Sequence, residues 1–561
     1  MDNNQIADAF SMLAKLLDIH GENSFKTKSY SSAAFAIEKL PAPLSEIPPE
    51  KIAAIKGIGS SIAQKITEML QTGHLKSLDE IIFNTPPGVA ELLNIKGIGP
   101  KKIHTIWKEM EIESIGELQY ACKENRLTLF KGFGEKTQQN VIQSIEFYLK
   151  SKGSFLYAQA HEMAPAIEAF FRKIFKGNTV EISGAYKRQM EIVNELEFVI
   201  DAAESKIENT LLTVPGFELI EKNTGFLLYA GSAGIKIKLH AAEGNLFMPS
   251  LIRTSSSKEF NTAFSLQYSQ TYNQMNTTGE AGYFSSLGLS MISAPIRENA
   301  SILTMALQQS IPQVIQPADI RGIIHCHSNW SDGSNTVEEM ARAAISRGLD
   351  YLVISDHSKS AFYAQGLYEE KVREQHLYVD ELNKKLFPFK IFKSIESDIL
   401  NDGSLDYSNE VLAGFDLVIA SVHSNIKMKE EKAMMRLIKA IENPYTTILG
   451  HLTGRLLLSR PGYPVDHDKI IDACAANNVV IELNAHPNRL DIDWRYIEKA
   501  LAKNVLISID PDSHHTDGLD DTFYGVMVAQ KAMLTKEKNL SSFSLQAFEN
   551  YLLERKSLKN I

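Results

Sequence analysis

At 561 residues the chain is too long for one hydrophobic core, and domains of about 100 to 200 residues divide it into roughly three to five. Hydrophobic residues at 44% and charged residues at 22% describe an ordinary globular protein, and no apolar run reaches the ~18 residues of a membrane span. A net charge of −10 argues against a protein that coats nucleic acid, since phosphate binding shows as a basic excess.

The opening MDNNQIADAF has neither the basic region nor the apolar run of a secretory signal, so a cytoplasmic location is expected. Residues 5–19, 29–40 and 60–72 carry the apolar period of amphipathic helices, and the first 150 residues are expected to be all-helical. That stretch holds 17 Lys/Arg against 18 Asp/Glu, so any contact with nucleic acid there is a local patch. Within it a motif recurs: IKGIGSS at 55–61, IKGIGPKK at 95–102 and FKGFGEKT at 130–137. An apolar residue, Gly-x-Gly and a helix start are what a helix-hairpin-helix needs. Gly57, Gly59, Gly97, Gly99, Gly132 and Gly134 permit tight turns with positive φ and leave backbone N–H groups open to a phosphate. One copy reads equally well as a glycine-capped connector. Three copies with lysines beside them, Lys101 among them, point to binding of the DNA backbone without base specificity.

From about 155 to 312, strand-like runs (VEISGAY, LEFVIDA, FLLYAG, IKIKLHA) alternate with helical ones, which suggests an α+β domain. Beyond QPADI at 316–320, the short apolar runs LDYLVIS, FDLVIAS, TTILGH, VVIELNA and VLISID alternate with helical stretches in the pattern of a βα barrel. Cys122, Cys326 and Cys474 are too far apart in sequence for a disulfide framework or a cysteine-based zinc site, and reduced, structural thiols are expected.

The barrel segment carries the chemistry. His325 and His327 stand at i and i+2 on a predicted strand, so both leave one face while Cys326 leaves the other. Later strands end in Asp332, His357, Glu396, His423, His451, and then Asp512 and His514, at the C-terminal ends where barrel sites form. Nitrogen and carboxylate ligands without thiolate suit Mn or Zn, or else Fe, and nine ligands exceed the roughly four to six that one such ion takes. Two or three divalent metals are implied, with Glu396 and Asp512 as bridging carboxylates. Adjacent divalent ions lower the pKa of water and stabilise charge on phosphate oxygens, which is metal-dependent phosphoesterase chemistry. Glu396, His327 and Arg455 are the expected catalytic groups, Arg455 by neutralising the substrate phosphate; its competing role is a surface ion pair.

These motifs resemble the polymerase-and-histidinol-phosphatase (PHP) domain. IRGIIHCHSNWSDGSNTVEEMARAA and GHLTGRLLLSRPGYPVD are similar to its version in the bacterial X-family DNA polymerases, and the resemblance runs over nearly the whole chain. It implies a multidomain α+β and α/β protein. Helical helix-hairpin-helix domains come first (1–80 lyase-like, 81–152 fingers-like), then a nucleotidyltransferase-like palm (153–242) and thumb (243–315), and last a distorted βα barrel (316–561). In that family the PHP domain is a 3′-5′ exonuclease using manganese or zinc, which implies DNA with gaps, nicks or 3′ ends as partner, a role in DNA repair and no membrane. Ile323 departs from the family, where an acidic residue commonly precedes the first histidine.

The palm also departs. The family's paired aspartates align with Glu195 and Glu197 and its third carboxylate with Lys238, whose ammonium repels cations, so magnesium-dependent polymerisation is not expected. The phosphate-gripping Gly-Ser reads Gly184-Ala185, Gln189 replaces a glycine, and Thr-Gly-Ser reads Ser255-Ser256-Ser257. Lys65 falls where the lyase lysine of the related eukaryotic repair polymerase sits. As a neutral amine it could form a Schiff base with an abasic sugar, and the competing reading is a solvated helix-surface lysine. Lys26 and Tyr30 match positions that touch a DNA phosphate, and Ser61 replaces a second lysine. Three other readings stay open: an active gap-filling polymerase with proofreading, a small-molecule phosphatase, and a non-enzymatic DNA-binding scaffold.

Overall fold

Apolar side chains at helical spacing place Ile6, Phe10, Leu13 and Leu17 on one face of the first helix, Asn3–Ile19, and Asp2 and Gln5 close its N-terminus as a capping box. That face packs against Ser24–Glu38 through Tyr30, Ala33, Ala34 and Ile37. The computed structural model describes residues 1–38, 40, 43–150, 153–231, 234–268 and 279–561. Residue 39, in the span expected as a helix, and the expected domain boundary at 152 lie outside the described residues. Met1–Lys123 with Leu127–Tyr148 form one compact unit, and Glu124–Arg126 with Leu149–Ile561 form the other.

In the first unit the three glycine motifs adopt one geometry. Gly57, Gly97 and Gly132 have φ of +95°, +89° and +94°, a region that L side chains avoid. Each turn is closed by one backbone bond: Ile58 N–H to the Ile55 carbonyl at 3.0 Å, Ile98 to Ile95 at 3.3 Å and Phe133 to Phe130 at 3.1 Å. Each leads into a helix, Ser60–Thr72, Pro100–Lys108 or Glu135–Lys150.

The second unit holds a five-stranded sheet in the order Val180–Ser183, Glu195–Ile200, Lys236–Ala241, Phe226–Ala230, Glu218–Asn223. Only the pairing of Glu195–Ile200 with Lys236–Ala241 is parallel. Tyr157–Ile174 packs on this sheet through Phe171, which meets Phe198 edge-on. The helices Phe247–Thr254, Lys258–Tyr268 and Gly279–Ser286 have their own core around Phe260, Phe264, Tyr283 and Phe284.

Seven parallel strands follow in sequential order: Gly322–Ile323, Tyr351–Ile354, Lys390–Asp398, Leu417–Ser421, Thr446–Leu449, Val480–Asn484 and Ile507–Asp510. Six of them, all but Lys390–Asp398, are buried along their whole length, as expected of strands covered on both faces. The curled sheet nearly closes, because Cys326 bridges Ser513 and His327 N–H donates to the Ser513 carbonyl at 2.8 Å. The first strand is shorter than expected. It stops at Ile323, and His325 and His327 follow it in irregular backbone that has left the sheet to reach Ser513. Their rings still lie on one side, 5.2 Å apart, while Cys326 packs into a separate core with Val337 and Leu352. No described helix is long and apolar enough to cross a membrane.

Candidate metal centre

The curl of the sheet collects the nine predicted side chains at one end of the barrel. All are buried, His423 with a small exposed edge. Three subsets place a ligand atom from each member within 4.8 Å of the others: His327, Asp332, His357 and His514; His325, His327 and Asp512; and His357, Glu396 and His423. His451 joins the last, its Nε2 2.9 Å from Glu396 Oε1.

Glu396 sits at the centre. Its Oε1 lies 3.0 Å from His423 Nε2 and 3.5 Å from His325 Nε2, and its Oε2 lies 3.0 Å from His357 Nδ1 and 3.7 Å from His327 Nε2. Both oxygens face imidazoles, the disposition of a bridging carboxylate. Asp512 differs. Its Oδ1 lies 3.1 Å from His327 Nε2 and 3.5 Å from His325 Nε2, whereas its Oδ2 accepts from Asn484 Nδ2 at 3.0 Å and has Arg489 Nε at 3.7 Å.

Carboxylates behind the cluster orient it. Glu482 accepts from His325 Nδ1 at 2.6 Å and from the backbone N–H of His451 at 2.5 Å. Asp398 accepts from His423 Nδ1 at 2.7 Å, and the Asp512 carbonyl accepts from His514 Nδ1 at 3.0 Å. In each case the ring's Nε2 is turned inward, where it would offer a lone pair to a cation once its proton is displaced. Asp356 holds the loop between His327 and Asp332 through Ser328 Oγ at 2.7 Å and Ser331 Oγ at 2.5 Å, and it also accepts from Gln375 at 2.6 Å. Sequence reasoning missed Glu482, Asp398 and Asp356. The available signal was an acid placed inside or just after an apolar barrel strand, in VVIELNA, SIESDI and ISDHS.

Burial opposes charge on every group here, and the balance is struck between neighbours. Glu396 and Asp398 overcome the burial of His423 and hold it up at about 10, and Asp332 holds His514 up at about 10. Burial and the adjacent His514 and His357 push His327 down to about 4. Asp510, beneath the cluster, is raised well above the carboxylate range by burial and then by Glu482. Asp332 Oδ2, His514 Nε2 and His451 Nδ1 are buried without a hydrogen-bond partner, and Asp332 stands 3.5 to 3.6 Å from the facing nitrogens of His514 and His357. Acceptors buried at that spacing fit cations between them. The buried His/Asp cluster is therefore consistent with binding of divalent metal.

Arg455 commits its guanidinium elsewhere. It donates to the carbonyls of Arg489 and Leu490 and to Asp493, so it braces the loop after Val480–Asn484. In the helical unit Lys65 donates to Ser77 Oγ at 3.2 Å, and Lys26 pairs with Glu22. Tyr30 is 7% exposed and stacks on Phe10, so its ring is a core side chain.

In the five-stranded sheet Lys238 Nζ lies 3.0 Å from Glu195 Oε1, and His240 Nε2 lies 2.8 Å from Glu197 Oε2. Glu197 folds over the Gly184 turn so closely that a Cβ there would come within 2.2 Å of its Oε1. Gln189 keeps the left-handed backbone suited to glycine, at φ +57°. Hydroxyls of the serine triplet donate to backbone carbonyls: Ser255 to Leu251, Ser256 to Ile252 and Ser257 to Glu298.

Residues 1–75 match the model of a helix-hairpin-helix domain, 89–146 that of a SAM-like helix-hairpin-helix tandem, and 324–486 that of the PHP domain. The chain is 30% identical to the DNA polymerase/3′-5′ exonuclease PolX of Bacillus subtilis, over 98% of this chain and 99% of that protein. Part of the chain is also similar to proteins named probable phosphatase. One, from Caldanaerobacter subterraneus, is 29% identical over 28% of this chain and 60% of its own length. Another, from a Thermoanaerobacter species, is 26% identical over 41% of this chain and 94% of its own length.

Proposed function

The chain belongs to the PolX family, and on that premise we propose that it is a metal-dependent 3′-5′ exonuclease of DNA whose palm does not polymerise. One observation carries this reading. Nine metal-type side chains from across the barrel converge with their nitrogens and oxygens facing inward, and both oxygens of Glu396 lie among them.

His325, His327, Asp332, His357, Glu396, His423, His451, Asp512 and His514 would hold two or three ions, manganese or zinc. When bound, these supply an acidified water and neutralise the phosphodiester. Glu396 spans the subsets and fixes their spacing. His327 belongs to two of the subsets and ties them together. Glu482 and Asp398 keep the lone pairs of His325 and His423 aimed inward. The glycine turns at 57–59, 97–99 and 132–134, with Lys101, hold the backbone of gapped, nicked or 3′-ended DNA, and Lys65 is kept as a candidate lyase amine. Within the second unit the palm covers 153–242, the thumb 243–315 and the PHP domain 316–561, in a protein of the cytoplasm. A silent palm is supported by Glu195 and Glu197, which already pair with the Lys238 ammonium and the His240 imidazole where two metals would have to bind.

The test is a 5′-labelled primer on a gapped template with Mn²⁺ and all four dNTPs, comparing wild type, His325→Ala and Glu195→Ala. Shortening that requires His325, with no extension, is the expected result. Extension abolished by Glu195→Ala would establish the polymerase instead. Absence of shortening while the metals are bound would refute the nuclease. The phosphatase-named relatives favour a second reading, hydrolysis of small phosphate monoesters. Faster turnover of p-nitrophenyl phosphate than of the oligonucleotide would select it.

A further inference from the structure

The two oxygens of Asp512 face different surroundings, and the difference is built by residues of the loop that follows the strand Val480–Asn484. Oδ1 looks into the cluster, 3.1 Å from His327 Nε2 and 3.5 Å from His325 Nε2. Oδ2 looks away from it, toward Asn484 Nδ2 at 3.0 Å and Arg489 Nε at 3.7 Å. Asp512 itself stands at φ +51°, in the left-handed region that aspartate enters more readily than most L residues. Arg489 is 5% exposed and is placed in turn by Arg455, whose Nε donates to the Arg489 carbonyl at 3.0 Å and whose Nη1 reaches Asp493 at 2.5 Å. Two arginines stand in series behind one carboxylate, the second bracing the backbone of the first.

The geometry points to Arg489 as a positioning residue for Asp512, with Arg455 as its brace. Asn484 donates to Oδ2 and the Arg489 guanidinium stands beside it, so that Asp512 would offer a metal its Oδ1, while both oxygens of Glu396 remain among imidazoles. The reason is electrostatic. A carboxylate beside two buried imidazoles has two equivalent oxygens, and a guanidinium near one of them breaks the equivalence by drawing negative charge to that side. This assignment rests on the metal-binding reading above and reassigns Arg455, which acts through Arg489 and not on the substrate phosphate.

The experiment measures metal, not catalysis. Full-length wild type, Arg489→Gln and Arg489→Lys are stripped with chelator and titrated with Mn²⁺, and free Mn²⁺ is read by electron paramagnetic resonance. Arg489→Gln is expected to weaken at least one ion of the set by roughly 10- to 100-fold, the usual effect of removing a residue that orients a metal ligand. Arg489→Lys, which keeps the charge, is expected to recover part of that loss. A purely structural role would lower the melting temperature of the stripped protein and leave the Mn²⁺ isotherm of the folded fraction unchanged, and that result overturns the assignment. Should Arg489→Gln fail to fold, Arg489→Met, uncharged and of similar length, is judged in its place: a weakened isotherm supports the assignment and a wild-type isotherm refutes it. Wild type that binds Mn²⁺ but does not cut DNA would remove the nuclease reading and leave Arg489 in place.

Discussion

Replacing Glu482 by glutamine changes one oxygen to an NH2 group at a site with 0% exposure, and the structure dictates where the conflict falls. One carboxylate oxygen accepts from His325 Nδ1 at 2.6 Å and the other from the His451 backbone N–H at 2.5 Å. Glutamine can serve only one of these. If its carbonyl keeps the backbone N–H, its NH2 faces the Nδ1–H of His325, and two donors at that distance repel. The conflict is relieved by moving the imidazole proton to Nε2, which removes the lone pair aimed at His327 and Asp512. Losing the orientation of one ligand is expected to cost about 10- to 100-fold in metal affinity, or ~1.4 to 2.7 kcal/mol. Mn²⁺ titration of chelator-stripped protein measures this directly, and the wild-type rate should return at saturating metal if only affinity is lost. A Glu482→Gln protein with wild-type Mn²⁺ affinity would refute the claim that Glu482 sets the tautomer of His325.

The second prediction concerns the glycine turns. Nothing lies within 4 Å of a Cβ added at Gly97, so Gly97→Ala tests backbone conformation alone, at φ +89°. It is expected to cost about 1 kcal/mol of stability and to weaken binding of fluorescent gapped DNA, with hydrolysis of bis(p-nitrophenyl) phosphate unchanged. Equal DNA affinity would remove that turn from the interface. The third concerns Lys531, whose buried ammonium donates to Glu298 at 2.7 Å and to the Arg188 carbonyl at 2.8 Å. Burial is the largest influence on it and pulls its pKa from 10.5 down to about 8. The unfolded chain therefore holds this proton more tightly than the folded one. The resulting penalty is full below pH 8 and fades as pH rises toward 10.5, by about 3 kcal/mol in total. Lys531→Met removes this dependence, so its stability relative to wild type should be highest near pH 7 and fall toward pH 10.5. Urea denaturation across that range gives the difference, and a flat difference would contradict the assignment.

Much of the architecture is written in local chemistry. The turns at Gly57, Gly97 and Gly132 were legible because a left-handed φ selects glycine whatever the surroundings. The barrel strands were legible because strands covered on both faces need unbroken apolar runs. The nine ligand types stood out because histidines and acids interrupt those runs where the strands end. What the sequence could not supply was distance. The ligands span positions 325 to 514, and only closure of the sheet brings His327 to within 3.1 Å of Asp512. The same long-range packing decided that both oxygens of Glu396 face imidazoles while Asp512 offers one, that Glu482 and Asp398 stand behind histidines, and that Arg455 turns to the carbonyls of its neighbouring loop. Tyr30 follows the same rule, stacked on Phe10 by the meeting of two helices. Residue type and spacing select which side chains can take part. Which atom each one presents is set by burial, because a polar group cut off from water must turn toward whichever partner the fold has left beside it.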